Sequence, residues 1–231
     1  MFEPTAADYL VLGAGIAGLS FALDAAERGN VTVLCKGDAG VSNTAWAQGG
    51  IATVWDDEDT VAAHVHDTVV AGAHLADPEL VRSILDEGPA AVQRLIDRGV
   101  GFDRDEGGAH DLTREGGHSA RRVLHAGDMT GAAIQRALLD RVRAHERIHL
   151  IEQAVAIDFI TDRKVARHVA KRSLGLKGME AMRRYGVAGP EGWMPHRPDR
   201  CLGAYVLDAA TGTVQAYQAG ATLLATGDVL L

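Results

Sequence analysis

The chain has 231 residues, 47% of them hydrophobic, enough to bury a sizeable core, yet no apolar run reaches the ~20 residues of a membrane span. Its 23 Lys and Arg against 31 Asp and Glu leave a net charge of −8, which disfavours the sequence-independent phosphate binding of a nucleic-acid partner. Cys35 and Cys201 stand far apart with no C-x-x-C pair, which excludes a disulfide framework or a zinc knuckle; Glu3 and Asp8 precede the first apolar stretch where a signal peptide would be basic, so a soluble cytoplasmic protein is expected.

The first element is a strand, Asp8 to Leu12, which runs through a glycine turn into a helix over Leu19 to Ala26. Gly29 is expected to end that helix in a left-handed conformation. A second strand follows at Val31 to Cys35, giving a βαβ unit. Val61 to Val70 carries apolar residues at helical spacing. Asp77-Pro78-Glu79 reads as an N-cap, a proline in the first turn and a dipole-matching acid; Pro89 starts the next helix, which closes at Gly99. Gly101 to His118 is a loop rich in glycine, histidine and acids. A helix is predicted over Thr130 to Arg143, then strands at Ile148 to Ile151 and Val155 to Ile160. A hairpin from Leu202 through Thr211-Gly212 to Ala219 and a buried strand at Ala221 to Ala225 close the pattern. Strands interleaved with helices predict an α/β fold with a doubly wound, mainly parallel, Rossmann-like sheet and a small β-hairpin.

Residues 163–200 break this rhythm. They hold ten Lys or Arg against four acids, counting Asp162 at the edge. This basic insertion reads either as a docking face for an anionic ligand or as a solvated surface segment, the more common fate of a block of one charge.

The chemistry starts at Gly13-Ala14-Gly15-Ile16-Ala17-Gly18. A G-x-G-x-x-G spacing between strand and helix is the dinucleotide fingerprint: the glycines allow a tight turn, close approach of a pyrophosphate and close helix packing, and the helix N-terminus faces the phosphates. The acid that takes the ribose hydroxyls in nicotinamide enzymes is absent, because the second strand ends Leu34-Cys35-Lys36. Lys36 favours either a 2′-phosphate or a flavin pattern. Downstream, Asn43-Thr44-Ala45-Trp46-Ala47-Gln48-Gly49-Gly50 is a second glycine-rich loop whose amides and hydroxyls can meet a polar ring edge, with Gly49 and Gly50 leaving room for a flat ring. Trp46 either shields such a ring or fills core.

These features resemble the flavoprotein family of succinate dehydrogenases, fumarate reductases and L-aspartate oxidases, which joins the glycine fingerprint to a lysine after the second strand and an Ala-Gln-Gly-Gly loop. Ala225-Thr226-Gly227 resembles the family's second nucleotide-contacting turn. The resemblance covers Asp8 to about Ile160 and Leu202 to Gly227. It implies FAD as cofactor, with Val155 and Ala156 among its contacts. Covalently flavinylated members carry a histidine just before the loop threonine; Asn43 stands there, so FAD is expected to be non-covalent.

The segment Leu112-Thr113-Arg114-Glu115-Gly116-Gly117-His118 is similar to the signature of the L-aspartate oxidase branch, and the dicarboxylate dehydrogenases lack its acid. An ammonium group distinguishes aspartate from succinate, and a carboxylate at Glu115 pairs with it but repels a bare dianion. The resemblance implies oxidation of L-aspartate to iminoaspartate, with oxygen or fumarate as acceptor, in de novo NAD biosynthesis. Glu115 and His118 are the catalytic candidates, and quinolinate synthase is a candidate partner. His125 also stands near, able to bind a carboxylate or move a proton. Arg121 and Arg122 serve either to balance ligand charge or as structural ion pairs. His64, His66 and His74 lack the spacing of a helical metal pair, so no metal is expected.

Family members continue past Ala-Thr-Gly into a capping domain and further ligand-binding residues. The expectation is therefore that residues 1–231 are an incomplete FAD-binding domain, weak in FAD binding and negligible in aspartate turnover by itself, with a separate C-terminal half as a candidate partner. A non-catalytic flavin-binding remnant, a succinate dehydrogenase or fumarate reductase type of flavoprotein, and an NAD(P)-dependent reductase using the first glycine motif alone are the competing readings.

Overall fold

The computed structural model describes residues 5–172 and 199–227. They fall into two units, one from Met1–Ala39 with His145–Leu231, the other from Gly40–Ala144.

In the first unit, strand β1 (Thr5–Leu12) leads through the glycine turn to helix α1 (Ile16–Ala25) and strand β2 (Val31–Leu34). Leu10, Val11 and Leu12 are all buried, as are all four residues of β2, which is the pattern of strands covered on both faces. On α1, Gly18, Leu19, Ala22 and Ala25 form the buried stripe. The expected left-handed cap is not at Gly29, whose φ is not positive. That glycine is there for space: a Cβ on it would lie 2.6 Å from Asp8 Oδ2, an oxygen that accepts from the Asn30 amide.

After the second unit the chain returns as β6 (Ile148–Ile151) and β7 (Ala154–Thr161). Helix α7 (Asp162–Arg172), β8 (Cys201–Asp208) and β9 (Val214–Leu224) follow. The six strands order β6-β2-β1-β9-β8-β7, parallel from β6 to β9 and antiparallel from β9 to β7. The hairpin return and the last buried strand of the sequence reading are one strand: β9 pairs antiparallel with β8 from Val214 to Gln218 and parallel with β1 from Tyr217 to Leu224. Gly220 does not interrupt it; a Cβ there would stand 3.1 Å from Asp8 O, so this glycine marks close backbone pairing. Leu10, Leu12 and Leu34 of the parallel strands share a core cluster with Ala154, Ala204, Val206 and Tyr217 of the antiparallel ones. The start of β7 also reaches the end of β2, where the Ala154 amide donates to Cys35 O at 2.8 Å.

The basic insertion begins as α7, a helix that the charge pattern concealed. Its other end is tied back to its start: the Asp162 amide donates to Arg200 O at 3.1 Å and the Arg163 amide to Asp199 Oδ1 at 3.1 Å. The remainder of the insertion lies outside the described residues.

The second unit holds α2 (Asn43–Trp46), β3 (Ile51–Ala52), α3 (Val61–Ala71), α4 (Pro78–Asp86), α5 (Gly88–Asp97), β4 (Leu112–Thr113), β5 (Val123–Leu124) and α6 (Thr130–Arg143). Asp77 caps α4 through Oδ1, which accepts from the Glu79 amide at 2.9 Å, and Thr60 caps α3 in the same way. Strands β3, β5 and β4 make a small antiparallel sheet of two-residue strands, too short to leave a period-two signature.

Candidate active site

In the first unit, Gly13 takes φ +116°, and a Cβ on it would lie 2.1 Å from Ala225 O. The fold thus brings the first glycine of the fingerprint against the Ala225-Thr226-Gly227 turn, whose Ala225 amide donates to Leu12 O at 2.8 Å. A Cβ on Gly18 would meet Gly13 O at 2.0 Å, so the third glycine lets α1 sit on the turn. Gly15 is the N-cap of α1 and brings no side chain to the first-turn amides, and no acid stands in that turn. Such a helix start favours an anion. Ala14, Ile16 and Ala17 complete this turn. Lys36 is exposed just past the end of β2. Val155 and Ala156 are partly buried near the start of β7, where Ala154 bonds Cys35, and Ala156 contacts the core cluster. The C-terminal ends of β1, β2 and β9 and the start of β7 thereby converge, the usual place for a ligand in an open α/β sheet.

In the second unit, Ser42 caps the short helix α2, its Oγ accepting from the Ala45 amide at 3.1 Å. The helix rests on α6 through Gly131, whose amide donates to Ala47 O at 3.1 Å. Sequence reading missed Gly131; its only sign was a glycine in the first turn of a helix. Trp46 is 68% exposed, so it does not fill core. The two loop glycines differ. A Cβ on Gly50 would lie 2.3 Å from Leu124 O, so the fold itself requires this glycine, whereas a Cβ on Gly49 would meet nothing within 4 Å. Asn43, Ala47 and Gln48 are exposed beside Gly49, and Thr44 and Ala45 are partly buried. An open, side-chain-free stretch flanked by amides and hydroxyls fits a flat ring with a polar edge.

Arg122 is fully buried and binds two carboxylates. Its Nε and Nη2 donate to the Asp59 oxygens, both at 2.7 Å, and Nη1 donates to Asp67 Oδ2 at 2.6 Å. It is therefore a structural ion pair and not a ligand contact. Burial pushes the Asp67 carboxyl up, but the Ser119 amide and hydroxyl, each 2.7 Å away, and the Arg122 guanidinium outweigh this and hold it at about 2, below its ordinary 3.8. Asp59 is lowered as well: burial raises it, and the Arg122 bonds and the Thr60 amide overcome that. His64, buried next to this network, is pushed down by burial and then by Arg122.

Groups lowered in the fold contribute stability above their unfolded values and lose it as pH falls. For Asp67 the window runs from about 4 down to about 2, and the expected loss is roughly 2 kcal/mol. Urea midpoints measured across that range check this, and Asp67→Asn is expected to flatten the dependence.

His118 accepts on Nδ1 from Arg122 Nη1 at 3.3 Å, and a guanidinium only donates, so the neutral ring carries its proton on Nε2. Its ring meets that of His64 edge-on with centroids 5.5 Å apart. Glu115 and His125 line a separate feature, a cavity of about 470 Å³ bounded by Asp103, Asp111, Thr113, Gly127 and Asp128 as well. Four carboxylates line it and no lysine or arginine does. Glu115 is half exposed at its mouth, with Oε1 3.2 Å from His125 Nε2. Arg121 stands outside this lining, 3.7 Å from Asp111 and exposed. Among the described residues no group of His, Cys, Asp and Glu could hold a metal ion, and no helix is long and apolar enough to cross a membrane.

Residues 8–229 match the FAD binding domain family. Among curated proteins the chain is similar to the L-aspartate oxidase of Pseudomonas aeruginosa, 43% identical over 227 residues that make up 95% of this chain and 37% of that protein. It is also similar to the L-aspartate oxidase of Vibrio cholerae, 48% identical over 163 residues, or 68% of this chain and 30% of that protein. The chain spans roughly a third of the length of these relatives. Among solved structures it is similar to the E. coli quinol fumarate reductase, with TM-score 0.78 and 24% identity, covering 98% of this chain and 33% of that one. The apo Sdh1 complex of Mycobacterium smegmatis gives TM-score 0.74 and 25% identity, over 98% of this chain and 35% of that one.

Proposed function

Since the chain belongs to the FAD binding domain family over residues 8–229, with FAD as its cofactor, we propose that it is the flavin-holding part of an enzyme that oxidises L-aspartate to iminoaspartate. The observation that carries this reading is the cavity at Glu115, lined by four carboxylates and neither lysine nor arginine. That field favours a substrate bearing an ammonium group and disfavours a plain dicarboxylate. It supports the amino acid oxidase over the succinate or fumarate branch.

FAD, when bound, supplies the two-electron chemistry. The residues that would hold it are the Gly13 to Gly18 turn with Ala14, Gly15, Ile16 and Ala17 for the pyrophosphate, Lys36, Val155 and Ala156 for the nucleotide, and Asn43 to Gly50 for the ring. Asn43 has no imidazole to offer, so the cofactor stays non-covalent. Glu115 binds and orients the substrate amine through a charge-assisted hydrogen bond, which fixes the α-carbon in place. His118 lies outside the lining of that cavity; Arg122 holds its ring with Nε2–H as the donor it offers. Oxygen or fumarate is the final acceptor. The product is a hydrolysis-prone imine, so a consuming enzyme such as quinolinate synthase is the partner that fits.

The test is to identify the cofactor released on denaturation without proteolysis, then to titrate the loaded protein anaerobically with aspartate and succinate. The expected result is free FAD and, once a C-terminal half is supplied, loss of the flavin absorbance with aspartate only. Equal loss with succinate overturns the choice of substrate, and a protein that never takes up FAD overturns the whole reading.

The two loop glycines give a second check. Gly49→Ala is expected to leave stability within about 0.5 kcal/mol, because a Cβ there meets nothing within 4 Å, while weakening FAD binding by about tenfold or more. Gly50→Ala is expected to destabilise the fold by about 1–3 kcal/mol against the Leu124 carbonyl. Thermal midpoints and quenching of FAD fluorescence separate the two.

A further inference from the structure

We infer that His125 is the positioning residue for the amine-binding acid. Three contacts meet on this one ring. Its Nε2 lies 2.5 Å from Thr113 Oγ1 and 3.2 Å from Glu115 Oε1, and its Cε1 is 3.0 Å from where a Cβ on Gly50 would stand. A carboxylate only accepts, so the 3.2 Å approach to Glu115 is favourable in the form of the ring that carries a proton on Nε2, and the hydrogen bond of that nitrogen is the one with Thr113 Oγ1. Glu115 sits on a loop and is half exposed; left to itself its side chain samples several rotamers, and each costs entropy to fix when ligand binds. His125, itself only 21% exposed, stands 3.2 Å from one carboxylate oxygen of Glu115, and both residues line the cavity. The ring also occupies the space beside the glycine that ends the Ala-Gln-Gly-Gly loop, where a Cβ would meet its Cε1, so Glu115 and that loop share this side chain as a neighbour. Thr113 ends β4 and Glu115 follows two residues later, and His125 directly follows β5, so the β4–β5 pairing of Leu112 with Leu124 brings the three into line.

This inference rests on the reading of Glu115 as the amine-binding group, and its test separates the two. His125→Phe keeps a ring against Gly50 and removes the Nε2 donor; His125→Gln keeps a donor of similar reach. In the FAD-loaded protein, calorimetric affinity for L-aspartate is expected to fall about tenfold in His125→Phe and to recover to within about threefold of the unaltered protein in His125→Gln. Succinate affinity is expected to move less than about twofold in both, a split that a merely structural histidine would not produce. A readout without substrate accompanies this: Glu115→Gln is expected to shift the His125 Nε2 resonance in ¹⁵N-histidine spectra. Unchanged aspartate affinity in His125→Phe together with loss of aspartate preference in Glu115→Gln overturns the role of His125 alone. Failure of the unaltered protein to prefer aspartate overturns both readings. Equal losses for aspartate and succinate in His125→Phe, or no rescue in His125→Gln, overturn the positioning role.

Discussion

Arg122→Ala is expected to lower the stability of residues 40–144 by about 3–5 kcal/mol, the largest single-residue effect in that unit. Arg122 is fully buried, and removing it leaves the carboxylates of Asp59 and Asp67, themselves nearly inaccessible, without their shared cation. The loss measures the cost of two uncompensated buried charges and not the worth of the pair, which desolvation offsets in large part. Arg122→Lys keeps the charge but cannot repeat the two parallel bonds to Asp59, so an intermediate loss of about 1–3 kcal/mol is expected. Urea unfolding at neutral pH distinguishes these outcomes; a loss below about 1 kcal/mol for Arg122→Ala would show that water or another group satisfies the two acids. The same network fixes the His118 ring, so Arg122→Lys at permissive temperature is also expected to weaken aspartate binding.

Gly131→Ala is expected to abolish high-affinity FAD uptake while leaving the glycine fingerprint intact. A Cβ at this position would lie 1.9 Å from Thr44 O and 2.7 Å from Ala47 O, both backbone atoms of the loop proposed to receive the ring. No rotamer relieves such a clash, so the 43–50 loop or α6 must shift. The expected cost is about 1–3 kcal/mol of stability, as for other overpacked sites, with a drop in FAD affinity of at least about a hundredfold. Fluorescence quenching of FAD, read beside the thermal midpoint, checks both. Near-normal uptake would mean that the loop's position is irrelevant to the cofactor.

Local signals carried much of the architecture. The fingerprint between two apolar runs, the Asp77-Pro78 start and the Pro89 start each act within a few residues, and each appears in the structure as an element boundary. Features set by distant neighbours stayed hidden. Gly29 read as a helix cap because its real partner, the Asp8 side chain, is remote in sequence. The continuity of β9 depends on β1, at the other end of the chain. Arg122 was ambiguous because Asp59 and Asp67 are 63 and 55 residues away. At the candidate site, Glu115 and the glycine loop stood out by residue type and spacing, whereas Gly131 and the Thr113–His125–Glu115 grouping exist only once β4 meets β5 and α6 meets α2.

The pairing of β1 with β9 also orders events during synthesis. Thr5 to Leu12 must wait for Tyr217 to Leu224 before their second edge is covered. At roughly 5–20 residues per second the ribosome needs tens of seconds to deliver that partner. Throughout that interval a strand ending in the apolar run Leu10, Val11 and Leu12 presents an open edge, a template for unwanted association. Residues 40–144, contiguous and complete long before, can fold meanwhile. The nucleotide turn, whose Gly13 closes against Ala225, is accordingly among the last parts of the molecule to assemble.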